Sequence, residues 1–153
     1  MLSNARIKAA RARASPDRYP GQGDVSIMSA NALTPAFEFA LEVYQVVDSM
    51  DERRLLPYLT DDCLFVFGNQ APLVGHANIA AGLKQFSAMI AGLHHRLLDS
   101  WQYDDVIVSR IDVTYTRHDE STLTVPAATI WRLRDGKICD NRIYVDNAPL
   151  FAH

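Results

Sequence analysis

Tyr44 and Asp48 stand four residues apart, so on a helix they share a face one turn from each other. A phenol can donate to a developing oxyanion, and a buried carboxylate is costly unless it is paired. His94 and His95 follow as consecutive residues; histidine is the usual general base near neutral pH. In a strand they must face opposite ways, His95 with Leu97, Asp99 and Trp101, His94 with Arg96 and Leu98. Arg110-Ile111-Asp112 places two opposite charges two residues apart, on one sheet face. Each group also has a plainer use: a packed tyrosine, an aspartate capping the next turn, a structural histidine, a surface ion pair. The sequence holds no phosphate loop, nucleophile elbow or metal-ligand spacing, so neither metal nor cofactor is expected.

These residues need a scaffold, and its punctuation is legible. Thr34-Pro35 is a helix start, a hydroxyl cap before proline at the first helical position. Phe37, Leu41, Tyr44 and Asp48 recur at helical spacing, which predicts a helix to about Met50 with that face inward. Asp51 caps a shorter helix from Glu52 to Leu59, bent or ended by Pro57. Cys63–Phe67 is a short apolar strand, and Gly68-Asn69-Gln70-Ala71-Pro72 a loop. A third helix opens at Gly75-His76-Ala77-Asn78, carries Ile79, Leu83, Phe86, Met89 and Ile90, and stops at Gly92. Four long strands then alternate with turns at Asp104-Asp105, His118–Ser121 and Asp135-Gly136, the last a tight hairpin signal. Pro126 within the third of these requires a bulge or an edge position. Three consecutive hairpins make a meander, and long strands of this kind coil.

The 153 residues suit one domain, able to bury about two thirds of its unfolded surface without a metal or disulfide staple. Cys63 and Cys139 are the only cysteines, which points to buried thiols in a reducing, cytoplasmic setting. No apolar run approaches the ~20 residues of a membrane span. Residues 1–33 carry a net charge of +3 and the whole chain −3, leaving an acidic body of −6 that argues against nucleic acid as a partner. The basic segment 1–33 is expected to be a disordered extension or the product of an upstream start, with Met28 as the natural one. The domain is expected from Thr34 onward.

The order of helix, helix, strand, helix and four antiparallel strands resembles the nuclear transport factor 2-like superfamily, in its SnoaL-like and ketosteroid-isomerase-like branch. Tyr44…Asp48-Ser49-Met50-Asp51, Leu59-Thr60-Asp61-Asp62-Cys63, Gly75-His76-Ala77-Asn78-Ile79, Asp135-Gly136-Lys137-Ile138 and Arg142-Ile143-Tyr144-Val145-Asp146 carry the likeness. It implies an α+β cone, a curved antiparallel sheet wrapped around three helices, with an apolar pocket at the open end and a homodimer paired through the sheet. It further implies a small apolar ligand of polyketide, terpenoid or steroid type, handled by a cofactor-free lyase or isomerase or simply bound. Tyr44 matches the oxyanion tyrosine of ketosteroid isomerases, and Asp48 with His95 the acid/base pair of the dehydratase branch.

Two stricter residue sets are incomplete. Arg110-Ile111-Asp112 resembles the Arg-x-Asp of limonene epoxide hydrolase, but the second carboxylate falls on Ile143 and the water-holding residues on Phe65 and Phe67. The ketosteroid isomerase base falls near Phe67 and its second acid near Thr129, and neither is a carboxylate. Asn69, Phe67, Phe86, Trp101, Arg110, Asp112, Thr129 and Trp131 are the expected ligand contacts.

Overall fold

The computed structural model describes residues 34–152. The basic segment 1–33, with Met28, lies outside the described residues. Helix α1 spans Pro35–Asp48, and Thr34 caps it by accepting the Phe37 N–H at 3.2 Å. Its buried face is centred on Ala36, Ala40, Val43 and Tyr44, whereas Leu41 is exposed. The inward stripe is therefore turned from the one drawn through Phe37 and Leu41. Alanines at 36 and 40 let the helix lie close to the sheet, and the bulkier Leu41 falls at the margin.

Helix α2 is one short turn, Glu52–Leu55, capped by Asp51 and continued as a 3-10 turn over Leu56–Tyr58. Pro57 sits inside that tighter turn. Helix α3 runs His76–Ser87, ending earlier than its apolar stripe suggested. Gly92 is not its stop signal: it lies in strand β3 opposite Thr116, where a Cβ would stand 3.2 Å from the Thr116 side chain. Close strand approach, not helix termination, asks for glycine there.

The strands are β1 Leu59–Phe67, β2 Leu73–Val74, β3 Gly92–Tyr103, β4 Val106–Thr116, β5 Thr122–Arg134 and β6 Lys137–Val145; a last turn, α4, covers Ala148–Phe151. They form one six-stranded sheet in the order β2-β1-β6-β5-β4-β3. The four long strands are the expected antiparallel meander; β1 joins β6 in parallel, so the curved, unclosed sheet is mixed. Asp135 and Gly136 both take positive φ, +53° and +75°, as a two-residue hairpin between twisted strands demands. Pro126 sits just past the last β5–β6 pair, Ala127 with Val145, while its pairing to Asp112 on β4 continues without a break. The proline thus occupies a local edge.

Ile107, Ser109, Ile111, Val113 and Tyr115 of β4 are buried and face the helices. Trp131 of β5 is 2 % exposed and packs on Phe39 and Tyr44 at ring separations of 6.1 and 5.3 Å. Its indole N–H donates to Asn141 Oδ1 at 3.0 Å, so neither polar group is buried unpaired. No helix among the described residues is long and apolar enough to cross a membrane.

Candidate functional site

Between α1, α3 and the inner sheet face lies a cavity of about 300 Å³. Aromatic groups dominate its wall: Phe65, Phe67, Phe86, Tyr115 and Trp131, with Tyr44 and His95. Gln70, Gln85 and Met89 also line it and are exposed, which marks the mouth. Among the described residues no lysine, arginine, aspartate or glutamate contributes to the wall. Such a surface favours an uncharged ligand, because an ion would lose its hydration without gaining a partner.

The structure brings Tyr44, Asp48 and His95 together. His95 Nδ1 lies 2.6 Å from Asp48 Oδ1, and the His95 backbone N–H donates to both carboxylate oxygens, at 3.1 and 3.0 Å. Asp48 is the last residue of α1, so its carboxylate hangs from the helix end beside β3. An ionised carboxylate accepts only, so Nδ1 carries the proton, and in the neutral imidazole Nε2 then holds the lone pair. No described residue bonds Nε2. His95 lines the cavity with a side chain 11 % exposed, and its ring stacks on Tyr44 at 5.0 Å and 21°.

The Tyr44 hydroxyl lies 2.6 Å from Thr129 Oγ1. Burial pushes its pKa up to about 12, against the smaller opposing pull of hydrogen bonds from Thr129 and Ser109. Near neutral pH it is therefore a proton donor, not a phenolate. Ser109 pairs across the sheet with Thr129 and lies 3.1 Å from Ser100 Oγ. Ser100, Ser109 and Thr129 thus form a buried hydroxyl row beneath the phenol. Among the described residues no group of three or more His, Cys, Asp or Glu is placed to hold a metal ion.

Residues 40–141 match the SnoaL-like domain family, about two thirds of the chain. The chain belongs to the SnoaL-like family. Solved structures share its fold at low identity. A protein from Jannaschia sp. CCS1 named a SnoaL-like polyketide cyclase is 16% identical with a TM-score of 0.65, over 85% of this chain and 94% of that one. A protein from Catenulispora acidiphila, described with a ketosteroid isomerase-like fold and in complex with trimethylamine, is 19% identical with a TM-score of 0.66, over 72% and 85%. An LEH-like epoxide hydrolase from M. tuberculosis is 15% identical with a TM-score of 0.61, over 71% and 80%. No curated protein matches.

Within this SnoaL-like cone, Phe67, Phe86, Thr129 and Trp131 reach the cavity wall. Four other expected contacts lie elsewhere. Trp101 is 53 % exposed on the outer sheet face. The β3–β4 register shifts between Leu97 and Asp99, so an extra residue, Leu98, reverses the alternation beyond it. Ser100 turns inward in place of Asp99, and Trp101 turns out. Arg110 and Asp112 are also on the outer face, in ion pairs: the Arg110 Nε–H donates to Asp99 at 2.7 Å, and Arg96 pairs with Asp112. The Arg-x-Asp pattern is therefore a pair of surface bridges. Asn69 is an exposed turn residue outside the wall, and Gln70 takes the position beside the mouth. Tyr115, Ser109 and Asn141 went unremarked in the sequence. Alternation from Ile111 and Ile143 would have found all three, whereas nothing in the pattern points to Gln70 or Gln85.

Proposed function

We propose that this SnoaL-like protein acts on a small, uncharged, ring-containing carbonyl compound as a cofactor-free lyase or isomerase. The observation that carries the reading is the 2.6 Å contact of His95 Nδ1 with Asp48, made by a histidine that lines the cavity. The likeness to a protein named a polyketide cyclase supports the ligand class. In this scheme His95 Nε2 takes a proton from carbon next to the carbonyl. The C–H electron pair becomes the carbon–carbon double bond of an enolate, and the carbonyl π pair moves onto the oxygen, which accepts from Tyr44 O–H. Asp48 stabilises the imidazolium, and His95 then returns the proton, to another carbon in an isomerase or to a departing hydroxyl in a lyase. Such acid–base groups contribute about 10²–10⁴-fold to a rate.

The competing reading is a binding module that uses the same cavity without chemistry, favoured by a wall so largely apolar. Nuclear magnetic resonance in D₂O with a panel of cyclic ketones separates the two. We expect solvent deuterium to enter the α-position, with His95→Gln slowing that entry by at least about 10²-fold while affinity holds. Binding without exchange leaves the binding module, and no binding by any ketone overturns the ligand class.

We also propose a homodimer paired through the outer sheet face. Trp101, Ile130 and Tyr144 present exposed apolar surface there, 53 %, 38 % and 55 %. Trp101 is opposite Val108, Val108 opposite Ile130, and Tyr144 opposite Ala128, which makes a contiguous patch. Sedimentation should give a dimer for the wild type and a monomer for Trp101→Glu; a monomeric wild type would dismiss the proposal. A cytoplasmic location remains a proposal too, resting on the two free thiols of Cys63 and Cys139.

A further inference from the structure

Two consecutive strand residues point to opposite sheet faces, yet both histidines reach one carboxylate. His95 Nδ1 is 2.6 Å from Asp48 Oδ1 and His94 Nδ1 is 3.3 Å from Oδ2. The geometry explains how. Strand β3 is the last in the sheet order, so one edge of it is open. Asp48 sits at that edge in the plane of the strand, because both its oxygens accept the His95 backbone N–H. From there His95 meets it from the inner face and His94 from the outer one. Their side-chain exposures, 11 % and 72 %, record the two sides.

The carboxylate needs this company. It closes α1, where the helix dipole already places negative charge, and no basic residue lies in the last turn of that helix. Its partners among the described residues come from β3 alone: the His95 backbone, the His95 ring and the His94 ring. The next charge along the outer side of β3, Arg96, is committed to Asp112. Asp51, which follows α1, is committed to Arg53. Without His94, Oδ2 keeps only its share of one backbone N–H.

We propose that His94 is a positioning residue for the site, an outer clamp that holds the Asp48 carboxylate aligned on the His95 ring. The proposal rests on the Asp48–His95 pairing used above. Its role is exerted through Asp48; His94 touches neither cavity nor ligand. With Oδ2 clamped from outside, Oδ1 stays on Nδ1 and the Nε2 lone pair stays available. With the clamp gone, the carboxylate turns toward solvent and the His95 tautomer is no longer held.

Nitrogen-15 spectra of the imidazoles test this on the full chain without any substrate. In the wild type His95 should be the Nδ1–H tautomer with a slowly exchanging ring proton. His94→Ala should speed that exchange by about tenfold and mix the tautomers, the effect expected from removing an imidazole that stands 3.3 Å from the carboxylate. His94→Asn places an amide N–H near the Nδ1 position and should restore the wild-type rate, whereas His94→Gln, with its amide one atom farther out, should not. An unchanged His95 signal in His94→Ala overturns the clamp, as does His94→Asn exchanging as fast as His94→Ala. Should His94→Ala fail to fold, the Asn and Gln variants decide in the same way. A wild-type His95 found as the Nε2–H tautomer is a different result, since it removes the acid/base reading and leaves nothing for His94 to hold.

Discussion

Strand β4 shows two molecules' worth of chemistry on its two sides. Inward, Ser109, Ile111, Val113 and Tyr115 give buried hydroxyl and apolar groups; outward, Arg110 and Asp112 give charges bridged to Asp99 and Arg96. Neighbouring residues therefore differ in what they can do by the side on which they fall. Charge is placed where water and a cross-strand partner meet it cheaply. Polarity admitted to the interior is neutral and hydrogen-bonded: Tyr44 with Thr129, Ser100 with Ser109, Trp131 with Asn141. The Asp48–His95 pair joins the two, a carboxylate bonded to a ring that lines the cavity. It stands at the sheet edge, where carboxylate and imidazole can be half-sheltered.

The contrast can be attacked from the inside first. Trp131→Ala should cost about 3–5 kcal/mol in denaturant unfolding, since it removes a buried indole and strands Asn141. A loss below about 1 kcal/mol would mean the inner face is not the core described here.

Alkaline titration sharpens the same point. A buried tyrosine raised from 10.0 to about 12 is neutral in the folded state while the unfolded chain ionises. Stability from this group is complete below pH 10 and falls by about 1.4 kcal/mol per pH unit until the folded value is reached. Tyr44→Phe should flatten that part of the profile. Cys63, which burial also raises to about 12, keeps a slope of its own from its model-compound value of 9.0. An unaltered profile in Tyr44→Phe would show the phenol is not sealed in.

The outer face should answer weakly. Arg110→Ala breaks an exposed bridge and should change stability by about 0–1 kcal/mol, with ligand affinity untouched. A tenfold loss of affinity in Arg110→Ala would restore the Arg-x-Asp pair to the site and erase the distinction between the faces.

Much of this was legible in the chain because local chemistry dictated it. Thr34-Pro35 could only begin a helix, Asp135-Gly136 only turn a hairpin, and β4 alternates without a fault. Tyr44, Asp48 and His95 were grouped by helix spacing, alternation and resemblance, and the fold brings them into contact. What escaped depends on single residues with no sequence mark. Leu98 looks like any strand leucine, yet as the extra residue of a bulge it sends Trp101 outside. Gly92 resembles a helix stop and is a strand contact. The meeting of His94 with His95 at one carboxylate depends on β3 being an edge strand, a property of strand order that no local pattern carries. The parallel pairing of β1 with β6 is hidden for the same reason.

The position of Asp48 has one more consequence. An open edge strand is a template for another chain, and proteins guard such edges with charge. By taking the His95 N–H, Asp48 removes one rung from that template and sets a negative charge across it. The residue proposed to tune proton transfer therefore also keeps β3 from recruiting a stray strand. A variant lacking the carboxylate would lose solubility as well as proton transfer, and its soluble fraction would fall with protein concentration as well as with time.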